Sequence, residues 1–178
     1  PNAQHMAITY VDDTTGETLK RDKLDGTSDQ DTKYTTGDNI KRYTDLHYKL
    51  VSDSTNGQDL IFDHNDKVDQ AYEVHFIHGT QKVNRQDTVT STINYKFEDG
   101  KTAQPTVTQT KHFSEDGVKD LVTGKIAWDE AKPQKFDDIA TKSIVGYTPD
   151  KDKVAGSVVK FGDQDVEVTV TYHNNVQT

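Results

Sequence analysis

The sequence predicts an α+β, strand-dominated protein made of two diverged copies of one module. Three observations lead there. Apolar residues alternate with polar ones in several runs, turn-forming residues separate the runs, and short motifs of the first half return in order in the second. The 178 residues have room for one large domain or for two of roughly 80 to 100 residues each. With 31% hydrophobic residues and a mean hydropathy of −0.89, two small cores with much exposed surface fit better than one deep core. Disorder fits worse, because the apolar residues and their aromatics fall into strict alternation.

At the front, Met6, Ile8 and Tyr10 alternate with Ala7, Thr9 and Val11, which is the pattern of a half-buried strand. Asp12-Asp13-Thr14-Thr15-Gly16 supplies a turn, and a return strand is expected from Glu17 to about Leu24. Thr36-Gly37-Asp38 marks a helix start, with Ile40, Tyr43 and Leu46/His47 spaced as one buried helical stripe. Tyr48-Lys49-Leu50-Val51 resumes as a strand, and Tyr72, Val74 and Phe76 close the unit with Ile77 on the opposite face. The order is strand, strand, helix, strand, strand. A boundary near Gly79 to Asn84 gives expected domains of 1–80 and 81–178.

The second half opens on the clearest strand of the chain. Val89, Ile93, Tyr95 and Phe97 share one face, and Thr90, Thr92, Asn94 and Lys96 share the other. Glu98-Asp99-Gly100-Lys101 then turns the chain into a Thr-rich return strand from Thr106 to Phe113. Leu121 to Trp128 reads as a further small hairpin around Thr123-Gly124, an enlargement absent from the first copy. In the closing strand Val166, Val168, Val170 and Tyr172 face inward, while Glu167, Thr169, Thr171 and His173 face outward. Between the halves, Ile8-Thr9-Tyr10 matches Ile93-Asn94-Tyr95, His47-Tyr48-Lys49 matches Gly146-Tyr147-Thr148, and Tyr72-Glu73-Val74 matches Val166-Glu167-Val168.

Composition excludes several chemistries. With no cysteine there is no disulfide framework, thiol catalysis or Cys-based zinc site. A net charge of −9 without clustered Lys and Arg argues against nucleic acid, and no run of 18 or more apolar residues is present to insert in a membrane. The chain starts at Pro1 and its single Met is Met6, so it reads as a piece of a longer polypeptide, with any signal peptide or anchor outside it. The lack of disulfides leans towards a bacterial cell surface. The pairs Asp12-Asp13, Glu115-Asp116 and Asp137-Asp138 read as turn residues without an apolar pocket to split their pKa values, and His75 and His78 point to opposite faces of a strand. No enzyme is expected. No cofactor is expected either, calcium being the one weak candidate, at Asp63, Asn65 and Asp69, where Lys67 occupies a ligand position and the central Gly is missing.

Binding candidates are Trp128 and Tyr147, whose rings could stack on a pyranose, although Trp128 equally reads as a core anchor and Tyr147 as a turn-closing residue. Thr90, Thr92, Thr108 and Thr110 lie on Thr-rich strand faces that could present hydroxyls to a glycan, or could simply suit solvent. An exposed edge strand would allow strand addition by an immunoglobulin domain.

Certain motifs carry a family resemblance. In the second half they are Ile93-Asn94-Tyr95-Lys96-Phe97-Glu98-Asp99-Gly100, Thr123-Gly124, Trp128, Phe136-Asp137 and Val145-Gly146-Tyr147-Thr148-Pro149-Asp150. In the first they are Ile8-Thr9-Tyr10-Val11-Asp12-Asp13, Gly37, Tyr43, Tyr48-Lys49-Leu50-Val51-Ser52-Asp53 and Tyr72-Glu73-Val74. The chain resembles the mucus-binding repeats of lactobacillus-type cell-surface adhesins. The resemblance implies two ubiquitin-like β-grasp domains in an elongated tandem, repeated within a Gram-positive, cell wall-anchored, extracellular adhesin. The implied partners are host mucin glycoproteins and neighbouring repeats, with immunoglobulins or a spacer role in a surface stalk as alternatives. Low affinity per repeat and avidity from tandem copies are expected. An internal Lys–Asn cross-link, of a kind that some bacterial surface domains use, is the covalent alternative to disulfides.

Overall fold

Strand β1 (Ala3–Asp12) forms where the alternation predicts, and its inward residues Met6, Ile8 and Tyr10 are at most 2% exposed. The chain reverses at Gly16, whose φ of +78° suits a residue without a Cβ, into β2 (Glu17–Thr27). Helix α1 (Gly37–Asp45), β3 (Tyr48–Asp53) and β4 (Gln70–His78) follow. The four strands form a sheet of order β2-β1-β4-β3 in which β1 and β4 run parallel and the other pairs antiparallel. A parallel pair needs a long crossover, which α1, β3 and the loop after β3 provide. Tyr43 of the helix packs against Tyr10, Tyr48 and Phe76, with ring centroids 6.0, 5.8 and 5.4 Å away. Leu60 and Phe62, from the loop before β4, complete this core.

The helical stripe is shorter than its spacing predicts. α1 ends at Asp45, Leu46 is 55% exposed, and His47 takes a φ of +73° that turns the chain into β3. A left-handed residue cannot continue a right-handed helix, so Leu46 and His47 leave the buried face.

The remaining strands are β5 (Thr80–Phe97), β6 (Thr102–Asp120), β7 (Ile126–Trp128), β8 (Gln134–Lys135), β9 (Ile139–Ala140), β10 (Tyr147–Pro149), β11 (Lys153–Val154), β12 (Val158–Val159) and β13 (Val166–Asn174). The computed structural model describes residues 2–176. It divides into one unit of Pro1–Lys82 with Val118–Ala127 and another of Val83–Gly117 with Trp128–Thr178, so the divisions fall inside β5, β6 and at the end of β7. β6 extends beyond the expected Thr106–Phe113 at both ends, because ladder bonds use backbone N–H and C=O groups and do not require apolar alternation.

The second sheet has the order β10-β13-β5-β6-β7, with β13 parallel to β5 and antiparallel to β10. The first sheet has the same centre: an opening strand parallel to the closing strand, which in turn pairs with a tyrosine-led strand. Among its described residues the second unit has no helix. Two short antiparallel ladders, β8 with β12 and β9 with β11, stand there instead. Phe136 and Val159 from this region pack with Val89 and Phe113, and Ile139 and Val154 pack on the cluster of Ile93, Tyr95, Val170 and Tyr172. The crossing is close enough that a Cβ on Gly156 would lie 1.7 Å from the Phe136 carbonyl oxygen.

The ladders correct one sequence match. Ile8 and Tyr10 face Tyr72 and Val74, whereas Ile93 and Tyr95 face Val168 and Val170. Tyr48 pairs with His78, and Tyr147 pairs with Asn174. Both ladders equate Tyr72-Glu73-Val74 with Val168-Thr169-Val170, two residues beyond Val166-Glu167-Val168. A two-residue slide leaves every side chain on the same face, so alternation alone cannot detect it.

Candidate binding surface

The sheet of the second unit has an apolar side and a polar side. Val89, Ser91, Ile93 and Tyr95 of β5 are buried, which turns Thr88, Thr90, Thr92 and Asn94 outward. On this outer face the Thr90 and Thr110 hydroxyls meet at 3.4 Å, Thr88 meets His112 at 3.4 Å, and the Thr106 hydroxyl donates to the Asn94 side chain at 3.2 Å. These contacts bracket Thr92 and Thr108 on the same face. Asn94 in turn donates to Glu167 of β13 at 3.1 Å. The four threonines singled out from sequence therefore share one continuous, hydrogen-bonding surface.

Trp128 and Tyr147 stand elsewhere in the same unit. Tyr147 leans on Phe97, with centroids 4.8 Å apart, beside a concavity of about 430 Å³ that Glu98, Lys101 and Asn174 also line. Trp128 is half-buried, and the Arg85 guanidinium lies over its ring at 4.3 Å from the centroid and over Phe161 at 4.6 Å. Arg85 Nε and Nη2 both donate to Glu115 Oε1, at 2.9 and 2.6 Å. Glu115 also accepts the Ala131 N–H at 2.8 Å, and that bond, followed by Arg85, holds its carboxyl below the ordinary carboxylate range. A concavity of about 300 Å³ opens here, lined also by Glu130 and Lys160. Trp128 is thus neither a plain core anchor nor a free stacking platform, since a cation already covers one face.

This arrangement corrects the reading of Glu115 as a turn residue, since it is 3% exposed within β6. Asp12 does open its turn, accepting the Thr14 N–H at 2.9 Å, but it is also 2% exposed at the end of β1 and bonded to His78. Each is buried because a cation on a neighbouring strand compensates it. Arg85 carries no motif, and only the pairing of β5 with β6 reveals its role. Of the calcium candidates, Asp63 and Asn65 side chains accept the N–H groups of Asn65 and Lys67, both at 3.0 Å, and Asp69 is exposed. Among the described residues no cluster of three or more acidic or histidine side chains is arranged to hold a metal ion.

A family model for a mucin binding domain matches residues 4–78, and one for a Muc B2-like domain matches residues 80–176. The solved structure of Mub-RV is 34% identical, with 97% of this chain and all 100% of that one covered, at a TM-score of 0.81. The chain belongs to the mucus-binding repeats. This mucus-binding repeat is also similar to the type 2 repeat of the mucus binding protein MUB from Lactobacillus reuteri, at 30% identity and a TM-score of 0.64, covering 97% of this chain and 100% of that one. A search of curated proteins returned no match. The resemblance carried by Ile93–Gly100 and Val145–Asp150 therefore extends over nearly the whole repeat. Neither matching family is one of enzymes, and no helix of the repeat is long and apolar enough to cross a membrane.

Proposed function

We propose that this repeat binds the glycans of host mucin through the polar sheet face that Thr90, Thr92, Thr108 and Thr110 share. The observation that supports this reading is the continuity of the hydroxyl and amide surface from β6 across β5 to β13. Sugars present many hydroxyls, and a ladder of side chains spaced as in a sheet can exchange hydrogen bonds with them without prior rearrangement. Both units follow a β-grasp plan in this reading, supported in the first by the order β2-β1-β4-β3 and the crossing helix. The parent protein is an extracellular adhesin of the bacterial surface, and neighbouring copies add avidity to a weak single site.

Strand addition by a protein partner finds poor edges. β2 is dense in charge, β3 has a register shift between Leu50 and Ser52, β7 has 3 residues, and β10 ends in Pro149. The face is therefore the better candidate than the rim.

The test is mucin capture by the repeat before and after enzymatic removal of the mucin glycans. Binding should fall sharply on deglycosylated mucin. The double variant Thr90→Val, Thr108→Val removes two hydroxyls with little change of shape and should weaken binding by about 5- to 100-fold. Undiminished binding to deglycosylated mucin sinks the proposal.

A further inference from the structure

Strand β2 breaks the pattern of its own sheet. Its inward positions lie opposite Tyr10 and Ile8, both fully buried, and should be apolar, yet they are Lys20 and Asp22. Both are only part-exposed, and their charged ends are 3.5 Å apart. Above them, α1 places Asn39 so that its side-chain carbonyl oxygen accepts a hydrogen bond from Lys20 Nζ at 3.1 Å.

The Asn39 amide nitrogen donates to the Tyr10 hydroxyl at 3.1 Å, the Tyr34 hydroxyl at 3.2 Å and Asp22 Oδ2 at 3.4 Å. Tyr34 donates to the same Asp22 oxygen at 2.6 Å, and the two tyrosine oxygens are 2.6 Å apart. These contacts fix which end of the Asn39 amide faces the amine. Burial raises both hydroxyls above the ordinary tyrosine range and so favours their neutral form. An amine, a primary amide and a carboxyl that touches both are thus held together on two elements of one domain, in a partly desolvated pocket walled by aromatic rings.

We propose that Lys20 and Asn39 are the partners of an intramolecular amide cross-link, with Asp22 as the proton-transfer group. Asp22, whose carboxyl lies 3.5 Å from the amine, takes a proton from the Lys20 ammonium, an exchange that leaves two neutral groups. The free amine adds to Asn39 Cγ, forming the C–N bond. Asp22 returns its proton to the Asn39 nitrogen, the Cγ–Nδ2 bond breaks, and ammonia leaves and is protonated in solvent. One ammonium is consumed and one ammonium ion appears, so charge and atoms balance without oxidant or cofactor. The product ties edge strand β2 to α1 across the core, a covalent tether in a chain that has no cysteine to make one. Its loop closes on 19 residues of sequence separation, and closing such a loop in the unfolded chain favours the native state as a disulfide does.

Intact mass of the denatured 178-residue chain, purified folded, tests this directly. The wild-type mass should be lower than the sequence mass by one ammonia, and digestion should yield a branched peptide joining Lys20 to Asn39. Lys20→Arg keeps the charge but offers no amine nucleophile, so its mass should equal its own sequence mass. Asp22→Ala, which removes the proton carrier, should also remain unlinked. A folded wild-type chain at its full sequence mass overturns the proposal and leaves Lys20 and Asp22 as an ion pair that guards the sheet edge. A deficit of one ammonia that persists in Lys20→Arg overturns it too, because the loss then arises elsewhere.

Discussion

His78 has both ring nitrogens on carboxylates, Nδ1 at 2.6 Å from Asp120 and Nε2 at 2.6 Å from Asp12, while the ring of Tyr48 meets it edge-on at 5.4 Å. Two acceptors on one imidazole require two N–H donors, so the ring is an imidazolium. Its pKa lies above the ordinary 6.5, raised chiefly by the bond to Asp120, with Asp12 reinforcing and desolvation opposing. Asp120 lies below its ordinary 3.8, held there first by His78. The histidine's contribution to stability is complete below 6.5 and is lost as pH rises through its raised value. The Asp120 contribution is present above 3.8 and lost as pH falls through its lowered value. Stability should therefore plateau between these limits and decline on the alkaline side. His5 and His75 are also raised by neighbouring carboxylates, so the decline is not His78's alone. His78→Asn isolates the effect and imports the residue that the second copy carries at the equivalent Asn174. Chemical denaturation in mildly acid buffer should show a loss of about 3 kcal/mol, because Asp12 is left buried without its cation. The deficit should shrink in alkaline buffer. A deficit that does not change with pH means that His78 acts by packing and not by charge.

At the scale of elements, the turn before each tyrosine-led strand shows how a duplicated structure survives a change of residue. Gly146 has a φ of +87° and His47 a φ of +73°. Gly79 N–H donates to the His47 carbonyl at 2.8 Å, and Asn175 N–H donates to the Gly146 carbonyl at 2.9 Å, so the same bond closes both units. A side chain at Gly146 would meet no atom within 4 Å, which leaves only backbone strain to oppose it. Gly146→Ala should cost about 1–2 kcal/mol, whereas His47→Gly should be neutral or stabilise by up to about 1 kcal/mol, each read as a shift in denaturant midpoint at constant slope. A loss of stability in both variants would mean that the two turns differ. The strands flanking these turns were legible in the sequence because each buries one face: Ile8 with Tyr10, Ile93 with Tyr95 and Val170 with Tyr172 all fell on the expected side. The two-residue strands β8, β9, β11 and β12 were not, since a pair of residues has no period. Thr90 and Thr110 could be placed on outward faces from sequence, but not opposite one another, because register depends on ladder bonds between distant segments. Arg85 and Glu115 were illegible for the same reason, and so was the meeting of Lys20 with Asn39.

For the whole molecule, charge decides what kind of binding is available. The chain carries a net −9, and mucin glycans are themselves often acidic, so long-range attraction cannot gather them. At physiological salt the screening length is about 8 Å, which mutes the repulsion and leaves short-range hydrogen bonds to supply specificity. Such bonds contribute about 0.5–1.5 kcal/mol each after exchange with water, and a flat face can engage few of them for any one sugar, so a single repeat should bind a monovalent glycan weakly. Linking copies then matters more than improving one. Two tandem copies on immobilised mucin should exceed one copy by about 10²–10⁴ in apparent affinity, provided that the linkage lets both engage. The same two copies should gain no more than a statistical factor of about 2 on a soluble monovalent glycan. Raising salt from low to physiological concentration should strengthen binding slightly or leave it unchanged. If salt weakens it instead, cations such as those at Arg85 and Lys160 carry the interaction, and the threonine face is not the surface that meets mucin.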